Sequence, residues 1–143
     1  MSRQRSRARH YAVQALYQWQ LAGQDVGDIV AQFLTGPEAA KFDTDYFRDL
    51  LRGVTTHAAE LDGHLSPHVD RPIGQIDPVE RAILRLGAYE LAHHPEVPYR
   101  VAINEAVELA KTFGAEEGHK YVNGVLDKVA RALRAVEVAA RRP

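Results

Sequence analysis

"DPVERAILRLGAYEL", residues 77–91, is the stretch that decides the fold class. Asp77 can cap a helix, Pro78 carries the fixed φ that suits a first helical position, and Glu80 suits the third. The run behind this start signal is apolar on more than one helical face, so it reads as a central helix with neighbours on several sides. Pro95 and Pro98 end it.

Outward from that helix the same 3.6-residue periodicity recurs, and no convincing strand alternation interrupts it. On the N-terminal side a first helix is expected from about Ser6 to Ala22, stopped by Gly23, and a shorter one over Asp25–Leu34, broken by Gly36-Pro37. A third is expected from Asp45 to Leu65, its stripe of Phe47, Leu50, Leu51, Val54, Ala58, Leu61 and Leu65 alternating steps of three and four. After Ser66-Pro67 a short helical piece to about Arg71 fits. On the C-terminal side a helix is expected over Val101–Phe113 with Gly114 as its stop, and a last one from about Glu116 through Leu133, with a frayed end at "RAVEVAARRP". The expectation is an all-α chain of two packed three-helix bundles, six to seven helices in all. The stretch "SPHVDRPIGQIDP" hinges a half at about 1–70 to a half at about 71–143.

Composition narrows the function classes. Apolar residues make up 45% of the 143, which is too apolar for disorder. There is no cysteine, which removes disulfides and thiolate metal sites and fits a reducing cytoplasm. No run approaches the roughly 18 apolar residues of a membrane span, and the basic N-terminus lacks a secretory leader's apolar core. The formal net charge is only −1, so a polyanionic partner has to be recognised by local clusters.

One such cluster opens the chain. "RQRSRARHYAVQALY", residues 3–17, holds four arginines within the first nine residues, with no acid before Asp25. On a helical wheel Ala8, Ala12, Ala15, Leu16 and Trp19 make a core stripe, and Arg3, Arg7, His10, Gln14 and Tyr17 lie opposite. That outward stripe can grip phosphates, hydrogen-bond base edges and stack a base. Arg5 and Arg9 fall nearer the apolar side and are solvated only if the first turn projects beyond the core as an arm. Cations at a helix N-terminus oppose the macrodipole at about 0.3–1 kcal/mol each, which favours an external anion over a merely solvated end. "HKYVNG", residues 119–124, repeats the chemistry with Lys120 and Tyr121; it gains weight only beside the N-terminal segment.

Catalytic and metal readings are weaker. Two Glu-x-x-His pairs, Glu90/His93 and Glu116/His119, with Glu105 and Glu108 between them, imitate a carboxylate di-metal set. A helix of about 13 residues, roughly 20 Å, separates the pairs and sets them at opposite ends of a bundle. His57, His64 and His68 share a face on paper, but Ser66-Pro67 interrupts it, and surface histidines are the plainer reading. The glycines Gly53, Gly63, Gly74 and Gly87 are isolated and form no phosphate loop, and no nucleophile-base pattern stands out. No catalytic residue, metal site or cofactor is expected: the pattern is that of a binding module.

Taken together, "RARHYAVQALYQWQL", "VPYRVAINEAVELAKTFG" and "HKYVNGVLDKVA", with "DYFRDLLRGV" and "VERAILRLGAYEL" in the same order, resemble the NusB family of bacterial transcription antitermination factors from about Arg5 to Ala130. The resemblance implies a single helical domain over 1–143 without catalysis. It further implies pairing with NusE, a protein of the small ribosomal subunit, and binding of the pair to the boxA element of ribosomal RNA leader transcripts. With other Nus factors on RNA polymerase, the pair then opposes premature termination. By position, Arg5, Arg7 and Arg9 match the family's basic N-terminal segment, and Lys120 and Tyr121 its basic-aromatic pair. With Arg3, His10 and Gln14 from the wheel, these are the expected RNA contacts. Tyr17 and Glu80 match positions implied for NusE, with Arg85 about one turn on; Glu80 also fits a capping box. Asn104 and Asn123 are expected to tie neighbouring backbones inside apolar helices. Gln4, Ser6 and Ala8 interrupt the basic run found in many relatives, which implies fewer phosphate contacts and more reliance on the partner. Two other readings stay open: an accessory domain of a ribosomal RNA-modifying enzyme, and a homo-oligomeric scaffold such as a homodimer linked to ribosomal RNA maturation.

Overall fold

A computed structural model describes residues 3–140. Among them there is no strand: eight α-helices, α1 (Arg3–Ala22), α2 (Val26–Leu34), α3 (Thr44–Thr56), α4 (Ala58–Leu65), α5 (Pro78–His93), α6 (Tyr99–Phe113), α7 (Gly118–Leu133) and α8 (Ala135–Ala140), are joined by three short 3-10 turns. Side-chain caps set several starts. The carboxylates of Asp25, Asp43 and Asp77 accept backbone amides at the heads of α2, α3 and α5. Gly23, at φ 63°, takes the left-handed conformation that ends α1.

The expected central helix is α5, buried along nine residues from Ala82 to Leu91. α1, α3 and α4 pack on it from the N-terminal half and α6 and α7 from the C-terminal half, so one apolar core runs through both. The closest approach is at Gly53. A Cβ there would collide with the Tyr89 ring, so only glycine lets α5's tyrosine lie flat on α3.

Four boundaries differ from the sequence expectation. α1 already begins at Arg3, so the described arginines belong to a helix rather than to a loose arm. The expected third helix breaks at His57, whose ψ of 19° separates α3 from α4. The core stripe runs on across the break, which is why periodicity does not reveal it. Two 3-10 turns, Ser66–His68 and Ile73–Gln75, occupy the hinge. The fraying expected over residues 134–143 does not hold for α8, and residues 141–143 lie outside the described residues. Arg134 donates to the carbonyls of Glu90, Leu91, His94 and Val97, closing the open end of α5. Glu137 then pairs with Arg134 at 2.7 Å and accepts the Tyr99 amide at 2.8 Å. These bonds tie the last helix to the bundle. No helix among the described residues is long and apolar enough to cross a membrane.

Candidate nucleic-acid and partner interface

The inner stripe of α1 is as the wheel places it: Ala8, Ala12, Ala15 and Leu16 are fully buried. The outer stripe divides into two neighbouring surfaces. At the N-terminal end, Arg3, Arg7 and His10 line a groove of about 470 Å³ between α1, the Pro37–Lys41 turn and α6. Arg3 and Arg7 are exposed, and Arg7 makes a long 3.4 Å contact to the Lys41 carbonyl. The acids on the rim are engaged locally, Glu38 with Tyr11 and Lys41 and Glu108 with Lys111. His10 is half-buried, its ring 4.7 Å from that of Phe113. Burial holds it below the ordinary histidine range, so at neutral pH it offers hydrogen bonds rather than charge. Sequence reasoning missed Lys41, whose cation joins this groove from a turn that periodicity does not describe.

Two turns along α1, Gln14 and Tyr17 form an apolar pocket of about 230 Å³ with Val13, Val79 and Phe113. Tyr17 is 39% exposed and Leu21, one turn further, 56%. Two large apolar side chains thus stand open at i and i+4 on this side of α1. Leu21, Val79 and Phe113 were missed, although the Tyr17–Leu21 spacing is visible in the sequence.

Glu80 lies next to this pocket, half-buried against the start of α7, where the backbone of Gly118 leaves room for its carboxylate. Burial and then the charge of Asp77 push its carboxyl above the usual range, while Arg71 acts the other way. Lys120 and Tyr121 follow on the same helix. Lys120 is exposed, with Glu117 at 3.2 Å. Tyr121 donates to Asp70 at 3.0 Å, and the Arg71 guanidinium sits 5.6 Å from its ring centre. Gly118 thus brings the start of α7, and with it the basic-aromatic pair, against Glu80.

Three expectations are corrected. Arg9 is not a solvent-facing cation: it is 2% exposed, and its guanidinium is spent inside the protein. Its Nε donates to both Glu90 oxygens at 2.9 and 3.0 Å, Nη2 meets Glu90 at 2.9 Å, and Nη1 donates to Glu105 at 2.7 Å. The Tyr46 hydroxyl also donates to Glu90, and Ser6 donates to Glu105. Burial alone would lower the Arg9 pKa, but the hydrogen bond and charge of Glu90 outweigh it and hold the group protonated. Two of the carboxylates that imitate a di-metal set thus converge on an arginine. Arg85 is likewise occupied, with a bidentate pair to Asp62 at 2.8 and 2.9 Å and a bond to Gln20 at 3.0 Å, at 14% side-chain exposure. It locks α1, α4 and α5 together, so its guanidinium is engaged inside the fold. Asn104 and Asn123 are exposed rather than tying backbones inside the core. Arg5 is intermediate: its guanidinium stacks 4.2 Å from the Tyr46 ring centre, 3.9 Å from Asp43, with 39% of the side chain open.

The NusB family model matches residues 6–131. The chain belongs to the NusB family. It is 58% identical over 139 residues to the transcription antitermination protein NusB of Alcanivorax borkumensis, covering 97% of this chain and 93% of that protein. To its counterpart from Nitrosococcus oceani it is 57% identical, covering 99% and 95%. Among solved structures it superposes on Thermotoga maritima NusB with a TM-score of 0.85 at 28% identity, covering 97% of this chain and 99% of that one. It also matches a chain of a complex described as antitermination factors NusB and NusE with double-stranded RNA, at a TM-score of 0.81 and 29% identity, covering 92% and 99%. The chain is a transcription antitermination factor, and not an enzyme.

Proposed function

We propose that this NusB-family chain binds boxA-type single-stranded RNA of ribosomal RNA leader transcripts as a heterodimer with NusE. With other Nus factors, the pair then helps RNA polymerase resist premature termination in the cytoplasm. The observation that carries this reading is the division of one helix face. Arg3 and Arg7 open a basic groove at the N-terminal end of α1, and Tyr17 and Leu21 open an apolar pocket further along. RNA held in the first would run beside a protein seated on the second. In this reading Arg3, Arg5, Arg7, His10, Gln14, Lys120 and Tyr121 contact RNA, and Tyr17 and Glu80 contact NusE. The chain acts as one domain, with the halves at about 1–70 and 71–143 joined by α5. The related complex of NusB, NusE and RNA supports this assignment of partners.

The test is fluorescence anisotropy of a labelled boxA RNA and a scrambled control, with and without NusE. Preferential boxA binding that NusE tightens is the expected result. Equal binding of both RNAs removes the boxA assignment, and no effect of NusE removes the heterodimer. Sedimentation of the free protein at the same concentration checks the scaffold alternative, because a homodimer closing over Tyr17 and Leu21 would exclude NusE.

A further inference from the structure

The break between α3 and α4 creates a cluster that lies outside both surfaces of α1. His57 stands at the break, Glu60 follows in the first turn of α4, and His93 comes from the last turn of α5. His57 Nδ1 lies 3.4 Å from Glu60 Oε1 and His93 Nε2 2.9 Å from Glu60 Oε2. One ligand atom from each of these three residues lies within 4.8 Å of the other two. His64, one turn beyond Glu60, brings a further imidazole nitrogen to 3.3 Å from the same carboxylate.

The packing orders these groups before any ligand arrives. Gly53 admits the Tyr89 ring onto α3, and the Tyr89 hydroxyl donates to Asp49 at 3.0 Å. On that fixed ring His93 stacks at 5.1 Å, and His57 stacks on His93 at 4.5 Å with 26° between planes. Two imidazole nitrogens beside a carboxylate are a nitrogen-oxygen donor set of the kind that suits zinc. Tetrahedral coordination at about 2.0–2.1 Å requires neighbouring donor atoms to sit roughly 3.4 Å apart; the two histidine–carboxylate separations are 3.4 and 2.9 Å, on different oxygens of Glu60, and the two imidazoles come within 4.8 Å of each other. Two ligands three residues apart and one from a separate helix also define a chelate that would clip the α3–α4 break to the end of α5.

We propose that His57, Glu60 and His93 bind a divalent transition-metal ion of the zinc class, with His64 in reach as a fourth ligand. The site belongs to neither the RNA surface nor the partner surface. All three proposed ligands are partly exposed, so an ion can enter without opening the core.

Isothermal titration calorimetry of untagged, metal-stripped protein with Zn²⁺ tests this. The expected result is one ion per chain with a micromolar Kd, weakened at least tenfold in both His57→Ala and His93→Ala and unchanged in His119→Ala. Circular dichroism on the same samples confirms that the variants are folded, and Glu60→Gln offers a second removal that keeps the volume. No stoichiometric binding by the parent chain, or His57→Ala and His93→Ala binding as well as the parent, would overturn the site.

Discussion

Arg7 and Arg9 stand two residues apart in one helix and have opposite fates. A step of two residues turns about 200° around α1. Arg7 therefore faces a solvent groove with one long backbone contact, and Arg9 faces inward between two carboxylates. The same cation stays open to solvent on one side and is a structural bolt on the other. The difference lies in the opposite face of the fold: α5 and α6 bring Glu90 and Glu105 to Arg9, whereas the acids near Arg7 already have local partners. Residue type and local spacing do not distinguish the two roles; the acids reached across the fold do.

The largest effect expected from breaking this contrast is on the inner side. Arg9→Ala strands the buried Glu90 charge and should destabilise the fold by about 3–5 kcal/mol, lowering the melting temperature by about 10 °C in calorimetry. Arg9→Met combined with Glu90→Gln should recover part of that loss, because the charge is removed with its partner. On the outer side, Arg7→Glu should leave the melting temperature within about 1 °C and weaken RNA binding about tenfold, or about 1.4 kcal/mol. Tyr46→Phe should cost about 1 kcal/mol in denaturant unfolding, since Glu90 loses a donor but keeps Arg9. Lys120→Ala should have the smallest effect, about a twofold to threefold loss of RNA affinity with unchanged stability, as befits one exposed cation already shared with Glu117.

Much of this fold can be read locally. The caps at Asp25, Asp43 and Asp77 and the buried stripe of α3 each depend on residues within a few positions of one another. The outward stripe of α1 is equally local, and Arg3, Arg7, Gln14 and Tyr17 stand exposed where the wheel sets them. Long-range pairing is what local patterns miss. The wheel already placed Arg9 near the apolar side, but its partners lie 81 and 96 residues away. Those partners, Glu90 and Glu105, sit among other charged residues on α5 and α6, so nothing local singles them out. The histidine cluster was hidden for a related reason. The periodicity groups His57 and His64 with His68, but the fold brings His93 to them from another helix, and the break at His57 leaves the core stripe undisturbed.

The central claim is that the outer face of α1 binds RNA through arginines that the fold does not need. It is tested most directly by titrating boxA RNA, in the presence of NusE, with the parent chain and Arg7→Glu across a series of salt concentrations. The account predicts weaker binding by Arg7→Glu and a slope of log K against log salt that is shallower by about 0.7 or more, one phosphate contact or more on a single strand. An unchanged affinity and an unchanged slope in a protein that melts normally would contradict it.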